Sequence, residues 1–296
     1  MATTEMKNLN FGIEIETVGL DRNRLAAAIK SVVGGQLAYA GNAVKVVMTD
    51  GRAWSVVPDG SLSGGSLSGE IVSPILGYAD IETLQEIIRA VRKAGAKADS
   101  SCGIHIHVDG SRFSAKAVAN LAKMVHKQER LLELALGVRE HRLTRYCKPI
   151  EASFIAAIDA TKPSTMPALA RAWYGYENAA PSRYDSSRYH GLNLNSLFYR
   201  GTIEFRYFNG TLHAGEVKSY VQLVLALAAK AIGSKSTQSA RREFSAATAK
   251  YDFRVVLLGL GMIGDEFKTA RFHLLKNLEG SAAWKNGRPE NERAAA

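Results

Sequence analysis

Apolar and polar residues alternate along Phe11-Gly12-Ile13-Glu14-Ile15-Glu16, a period of two that predicts a strand over 10–18. On that strand Phe11, Ile13 and Ile15 face one way, and Glu14 and Glu16 face the other. The same alternation recurs in Gly103-Ile104-His105-Ile106-His107-Val108, in Leu192-Asn193-Leu194-Asn195 and in Ile203-Glu204-Phe205-Arg206-Tyr207. It predicts strands over 103–109, 190–197 and 202–208, the last two joined as a hairpin across Tyr199-Arg200-Gly201. Shorter strand-like runs cover 43–48, 53–58 and 69–73, the third after a turn-rich segment over 59–65. Helical periodicity follows Asp21 and stops near Gly34-Gly35, follows Asp80 through Arg92 with Gly95 as the stop, and follows Ser114 to Gly137. Residues 149–188 read as short helices and loops, and helices dominate from Gly215 onward.

Neither repeats nor heptads nor a linker interrupt this order. The pattern predicts one α+β domain over 1–296. Its core motifs lie in 10–210, followed by a helical part over 214–283 and a frayed tail over 284–296.

The polar faces change this picture. An exposed antiparallel face ordinarily carries Lys, Thr and Ser. Here it carries Glu14 with Glu16, His105 with His107, Asn193 with Asn195 and Glu204 with Arg206, and Glu70 precedes a further strand. Acids placed side by side repel each other and resist burial, and a divalent cation turns that repulsion into coordination. Carboxylates with one histidine suit Mg²⁺ or Mn²⁺ sharing phosphate oxygens, whereas a zinc hydrolase favours three tight His or Cys ligands. The chain has no Walker loop and no GxGxxG turn, so a bound nucleotide must be held by ions and arginines.

Composition sets limits. The 46% hydrophobic and 22% charged content is that of an ordinary globular chain. A polar N-terminus, two cysteines and an apolar run over 221–232 broken by Lys230 predict a cytosolic protein without a membrane span. The net charge of +10, with arginines thickening between Arg130 and Arg206, fits a solvated surface, an anionic substrate or nucleic acid.

Taken in order, Gly12-Ile-Glu14-Ile-Glu16, Asp59-Gly-Ser61-Leu, Gly69-Glu70-Ile-Val-Ser73-Pro74, Cys102-Gly-Ile-His105-Ile-His107 and Gly201-Thr-Ile-Glu204-Phe-Arg206 resemble the amidoligase family. That family is related to glutamine synthetase and glutamate–cysteine ligase. The resemblance implies a curved, mostly antiparallel sheet with ions on its concave face and helices on its convex face. It implies that Glu14, Glu16, Glu70, His105 and Glu204 bind metal and that His107 lies nearer the nucleotide phosphates. Arg206 would contact the transferred phosphoryl group. Beyond the resemblance, the shared face of Asn193 and Asn195 extends the expectation to these two side chains, facing nucleotide or substrate. The implied activity is ATP- and Mg²⁺-dependent joining of a carboxylate and an amine through an acyl phosphate.

Alternatives remain at this level. A guanidine-type phosphotransferase shares the fold, and His105-x-His107 also fits a metal-dependent hydrolase or oxygenase of the cupin kind. Cys102, just before a strand, reads first as a buried small apolar residue and only second as a nucleophile, and the charge alone allows a non-catalytic nucleic-acid-binding protein.

Overall fold

The computed structural model describes residues 2–286; the predicted tail beyond 286 lies outside the described residues. Eight strands form one open antiparallel sheet: β1 (Phe11–Val18), β2 (Gln36–Ala40), β3 (Ala43–Val47), β4 (Ala53–Val57), β5 (Ser68–Val72), β6 (Gly103–Asp109), β7 (Leu192–Asn193) and β8 (Thr202–Asn209). Their order across the sheet is β2-β3-β4-β5-β1-β6-β8-β7. Helices α1 (Ala2–Lys7), α2 (Arg22–Val33) and α3 (Ile81–Lys93) alternate with the early strands. After β6 come α4 (Ala115–Ala135), α5 (Glu140–Arg145), α6 (Ala152–Thr161), α7 (Met166–Tyr174) and α8 (Asn195–Arg200). The last third holds α9 (Ala214–Gly233), α10 (Ala249–Gly259) and α11 (Lys268–Leu275). The α+β expectation holds.

The apolar side of the alternation makes the core. Ile13, Ile15, Ile104, Ile106, Val108 and Phe205 are buried, and α9 packs against β6, α1, α3, α4 and α11 behind them. Burying such side chains contributes roughly 1.5–3 kcal/mol each, which lets the opposite face carry groups that repel. Asp21 and Ser114 cap α2 and α4 as expected, accepting from Arg24 N at 3.0 Å and Ala117 N at 3.2 Å. Asp80 does not cap α3. Its carboxylate instead accepts from Gly77 N at 2.8 Å and pairs with Arg52.

Three features depart from the sequence reading. The strand expected over 190–197 is confined to β7, and the expected hairpin is interrupted by α8. Asn193 Oδ1 accepts from Ser196 N at 3.3 Å, and this local bond turns the chain into a helix. Second, an extra residue in β8 shifts the register between Ile104↔Phe208 and Ile106↔Phe205. That bulge returns Phe208 to the apolar side, where it stacks on Tyr220 of α9 at 4.6 Å. Third, the edge strand β2, largely exposed, lacks the alternation that would mark it in the sequence.

An open single sheet is not the double-sheet jelly roll of a cupin, so that alternative falls on architecture. Among the described residues no helix is long and apolar enough to cross a membrane.

Candidate active site

Strand register builds the site. Glu16 stands opposite Glu70, Glu14 opposite His105, His107 opposite Glu204, and Asn193 opposite Glu204. Five neighbouring strands, β5, β1, β6, β8 and β7, thereby place their polar residues on one patch of one face. His105 Nδ1 lies 3.3 Å from Glu14 Oε2 and 3.8 Å from Glu204 Oε1, and His107 Nε2 lies 3.3 Å from Glu14 Oε1. Glu204 is buried between Arg206 Nη1 at 2.6 Å and Asn193 Nδ2, which donates at 2.6 Å. Arg206 Nε donates to the Tyr146 carbonyl at 3.2 Å.

Two sets of three donors result. Glu14, His105 and Glu204 form one, and Glu16, Glu70 and His105 form the other; within each set the donor atoms lie within 4.8 Å of one another. His105 belongs to both. Protonation supports the reading of a cation cluster. Burial, reinforced by Glu14, Glu16 and Asp59, pushes the Glu70 carboxyl up to about 9. The group thus resists ionising beside its neighbours, and a divalent cation would remove that conflict. For Glu204 burial opposes ionisation, but Arg206, His107 and His105 outweigh it and hold the carboxyl down to about 2. Burial likewise opposes ionisation of Glu14, yet hydrogen bonds to His105 and His107 hold its carboxyl well below the usual range. A donor set dominated by carboxylate oxygen with one imidazole fits Mg²⁺ or Mn²⁺.

Two cavities of different chemistry meet at Glu14. One, of about 410 Å³, has apolar walls from Phe11, Val72, Pro74 and Ile75 and a polar end at Glu14, His107 and Arg200. The other, of about 230 Å³, opens over Glu16 and Glu70 and is edged by Arg142, Arg183, Arg188 and Arg206.

The structure therefore gathers Glu14, Glu16, Glu70, His105, His107, Asn193, Glu204 and Arg206 in one place. Asn195 lines a small cavity with Glu14, Asn193, Arg200 and Glu204. It sits on α8 rather than on a strand, its Oδ1 accepting from Tyr174 Oη at 2.5 Å and its Nδ2 donating to Ser182 O at 3.0 Å. Those bonds tether the loop between α7 and β7 to the edge of the site. Cys102 is buried, and burial pushes its thiol up to about 11, which fits the small core residue and not an activated nucleophile.

Arg142 and Arg200 stood out in the sequence only as members of the arginine-rich stretch, with no contact assigned to them. Arg200 Nη2 lies 3.3 Å from Glu14 Oε1 and 2.8 Å from His107 Nε2. Arg142 lies buried across Gly103, where a Cβ would stand 2.5 Å from its Nη1. Gly103 is thus required for the close approach, and its N–H donates to Glu16 Oε2 at 2.5 Å. The only sequence signal for these side chains was the rise in arginine frequency.

The sequence profile described as "Putative amidoligase enzyme" matches residues 7–228, more than half of the chain. The chain belongs to this amidoligase family, which points to an enzyme that forms amide C–N bonds. No curated protein matches it significantly.

Proposed function

We propose that this protein is an ATP- and Mg²⁺-dependent carboxylate–amine ligase related to glutamine synthetase and glutamate–cysteine ligase. The observation that carries the reading is the pair of donor sets sharing His105 at the junction of an apolar and an arginine-edged cavity.

A carboxylate does not accept an amine at neutral pH, because the departing oxygen is too basic. Phosphorylation by ATP gives an acyl phosphate with a good leaving group. The apolar cavity suits a nucleobase, and its polar end directs the phosphates toward Arg200 and His107. The arginine-edged cavity suits the acid, drawing its carboxylate toward Glu16 and Glu70 only when cations screen them.

Glu14, Glu16, Glu70, His105 and Glu204 would hold the divalent ions. Bound there, the ions supply charge neutralisation on the phosphates. Arg206, oriented by Glu204 and the Tyr146 carbonyl, would stabilise the phosphoryl group in flight. Attack of the amine on the acyl carbon then expels phosphate and forms the C–N bond.

The test uses hydroxylamine as a surrogate amine with a panel of carboxylic acids. Hydroxamate formation should require ATP and Mg²⁺ together and should disappear in Glu16→Ala. Full activity in that variant would overturn the reading, and salt-sensitive DNA retention without nucleotide turnover would favour the nucleic-acid alternative.

A further inference from the structure

The family match ends at residue 228, and α11 lies beyond it. Where α9 begins, a second group of metal-type donors joins the two parts. His213 precedes α9, Glu216 lies in its first turn and His273 comes from α11; their donor atoms lie within 4.8 Å of one another. The two imidazoles meet edge to face with centroids 4.8 Å apart. Gly215 makes this possible, because a Cβ there would stand 2.8 Å from His273 Nε2 and 3.1 Å from His213 Cε1.

Two further observations point to a ligand. The Glu216 carboxylate is held in place, with Thr211 Oγ1 donating to Oε2 at 2.7 Å and Lys276 Nζ paired with Oε1. In metal centres such an outer hydroxyl orients the ligating carboxylate. His273 turns Nε2 toward Gly215 and the His213 ring, and its other nitrogen, Nδ1, makes no hydrogen bond among the described residues. A cation, the Lys276 ammonium, already sits against this carboxylate on a side chain that is 39% exposed.

We infer that His213, Glu216 and His273 bind one transition-metal dication of the zinc class, which takes the place of the Lys276 ammonium. Two imidazoles and one carboxylate favour Zn²⁺ or Co²⁺ over Mg²⁺, which prefers oxygen donors throughout. The ion would fasten α11 to the start of α9, the helix that backs β6 in the sheet. It lies outside the acidic cleft and does not depend on the ligase reading. The competing account treats His213 as a helix cap and Lys276–Glu216 as an ordinary surface ion pair.

The experiment titrates Co²⁺ into the full chain with Mg²⁺ saturating the acidic cleft, following the visible absorption of low-coordinate cobalt. One equivalent should bind, and it should persist in Glu16→Ala. His213→Ala and His273→Ala should lose it, and Thr211→Val should weaken it roughly 10–100-fold. Lys276→Met should tighten it by removing the competing cation. His213 is exposed, so its variant serves if His273→Ala fails to fold. Absence of a bound equivalent in the wild-type chain overturns the proposal, as does its retention in His213→Ala or its weakening in Lys276→Met.

Discussion

The two faces of strands β1, β6 and β8 obey opposite rules. Behind the sheet, Ile13, Ile15, Ile104, Ile106 and Val108 are closed against helices, with every group content in an apolar setting. In front, on the same strands one residue along, Glu14, His105, His107, Glu204 and Arg206 are equally crowded, and their charges are only partly matched. Neither face makes sense alone. The packed face supplies the rigidity that holds the charged face in an arrangement it would not adopt by itself, as functional sites commonly require.

Substitutions on the two faces should therefore separate activity from stability. The largest effect on activity is expected at Arg206: Arg206→Lys should lower kcat by about 10³–10⁵ if it stabilises the transferred phosphoryl group. Single-turnover ADP formation checks this, and an effect confined to KM would remove Arg206 from the chemical step. On the packed face, Ile106→Ala should cost about 2–5 kcal/mol in denaturant unfolding while leaving kcat of the folded fraction near wild type.

An intermediate effect is expected at Arg200, which touches Glu14 and His107 from the nucleotide-sized cavity. Arg200→Ala should raise KM for MgATP by about tenfold, equivalent to about 1.4 kcal/mol, with a smaller change in kcat. It should also tighten Mg²⁺ binding, because the guanidinium competes with a cation for Glu14.

A further effect concerns pH and is read in stability rather than in turnover. Glu70 titrates at about 9 in the metal-free fold against an ordinary value of 4.5. The folded state thus holds a proton that the unfolded chain releases first. Its contribution to stability is complete below about 4.5 and is lost as pH rises toward about 9. Thermal unfolding without metal should show Tm falling across that window, Mg²⁺ should flatten the slope, and Glu70→Gln should remove it. A flat profile in metal-free wild-type protein would show that the acids do not strain one another.

The sequence made one class of feature readable and hid another. Glu14 with Glu16, His105 with His107, and Glu204 with Arg206 were legible because a strand converts a spacing of two into a shared face. The caps at Asp21 and Ser114 were legible because their hydrogen bonds are local. The strand expected over 190–197 misled for the same reason in reverse: Asn193 Oδ1 accepts from Ser196 N three residues on, and α8 replaces the second half of the strand. The bulge that turns Phe208 inward depends on pairing with β6 and leaves no trace in β8 alone. Arg142, Arg183, Arg188 and Arg200 reach the cleft from helices and loops, and no spacing rule ties a long side chain to a site so distant in sequence.

The most direct test of the central claim is Mn²⁺ binding followed by electron paramagnetic resonance in the presence of a non-hydrolysable ATP analogue. Two saturable equivalents should bind to the wild-type chain, with Glu70→Ala and His105→Ala each losing at least one. Binding that is absent, or indifferent to both substitutions, would contradict the account.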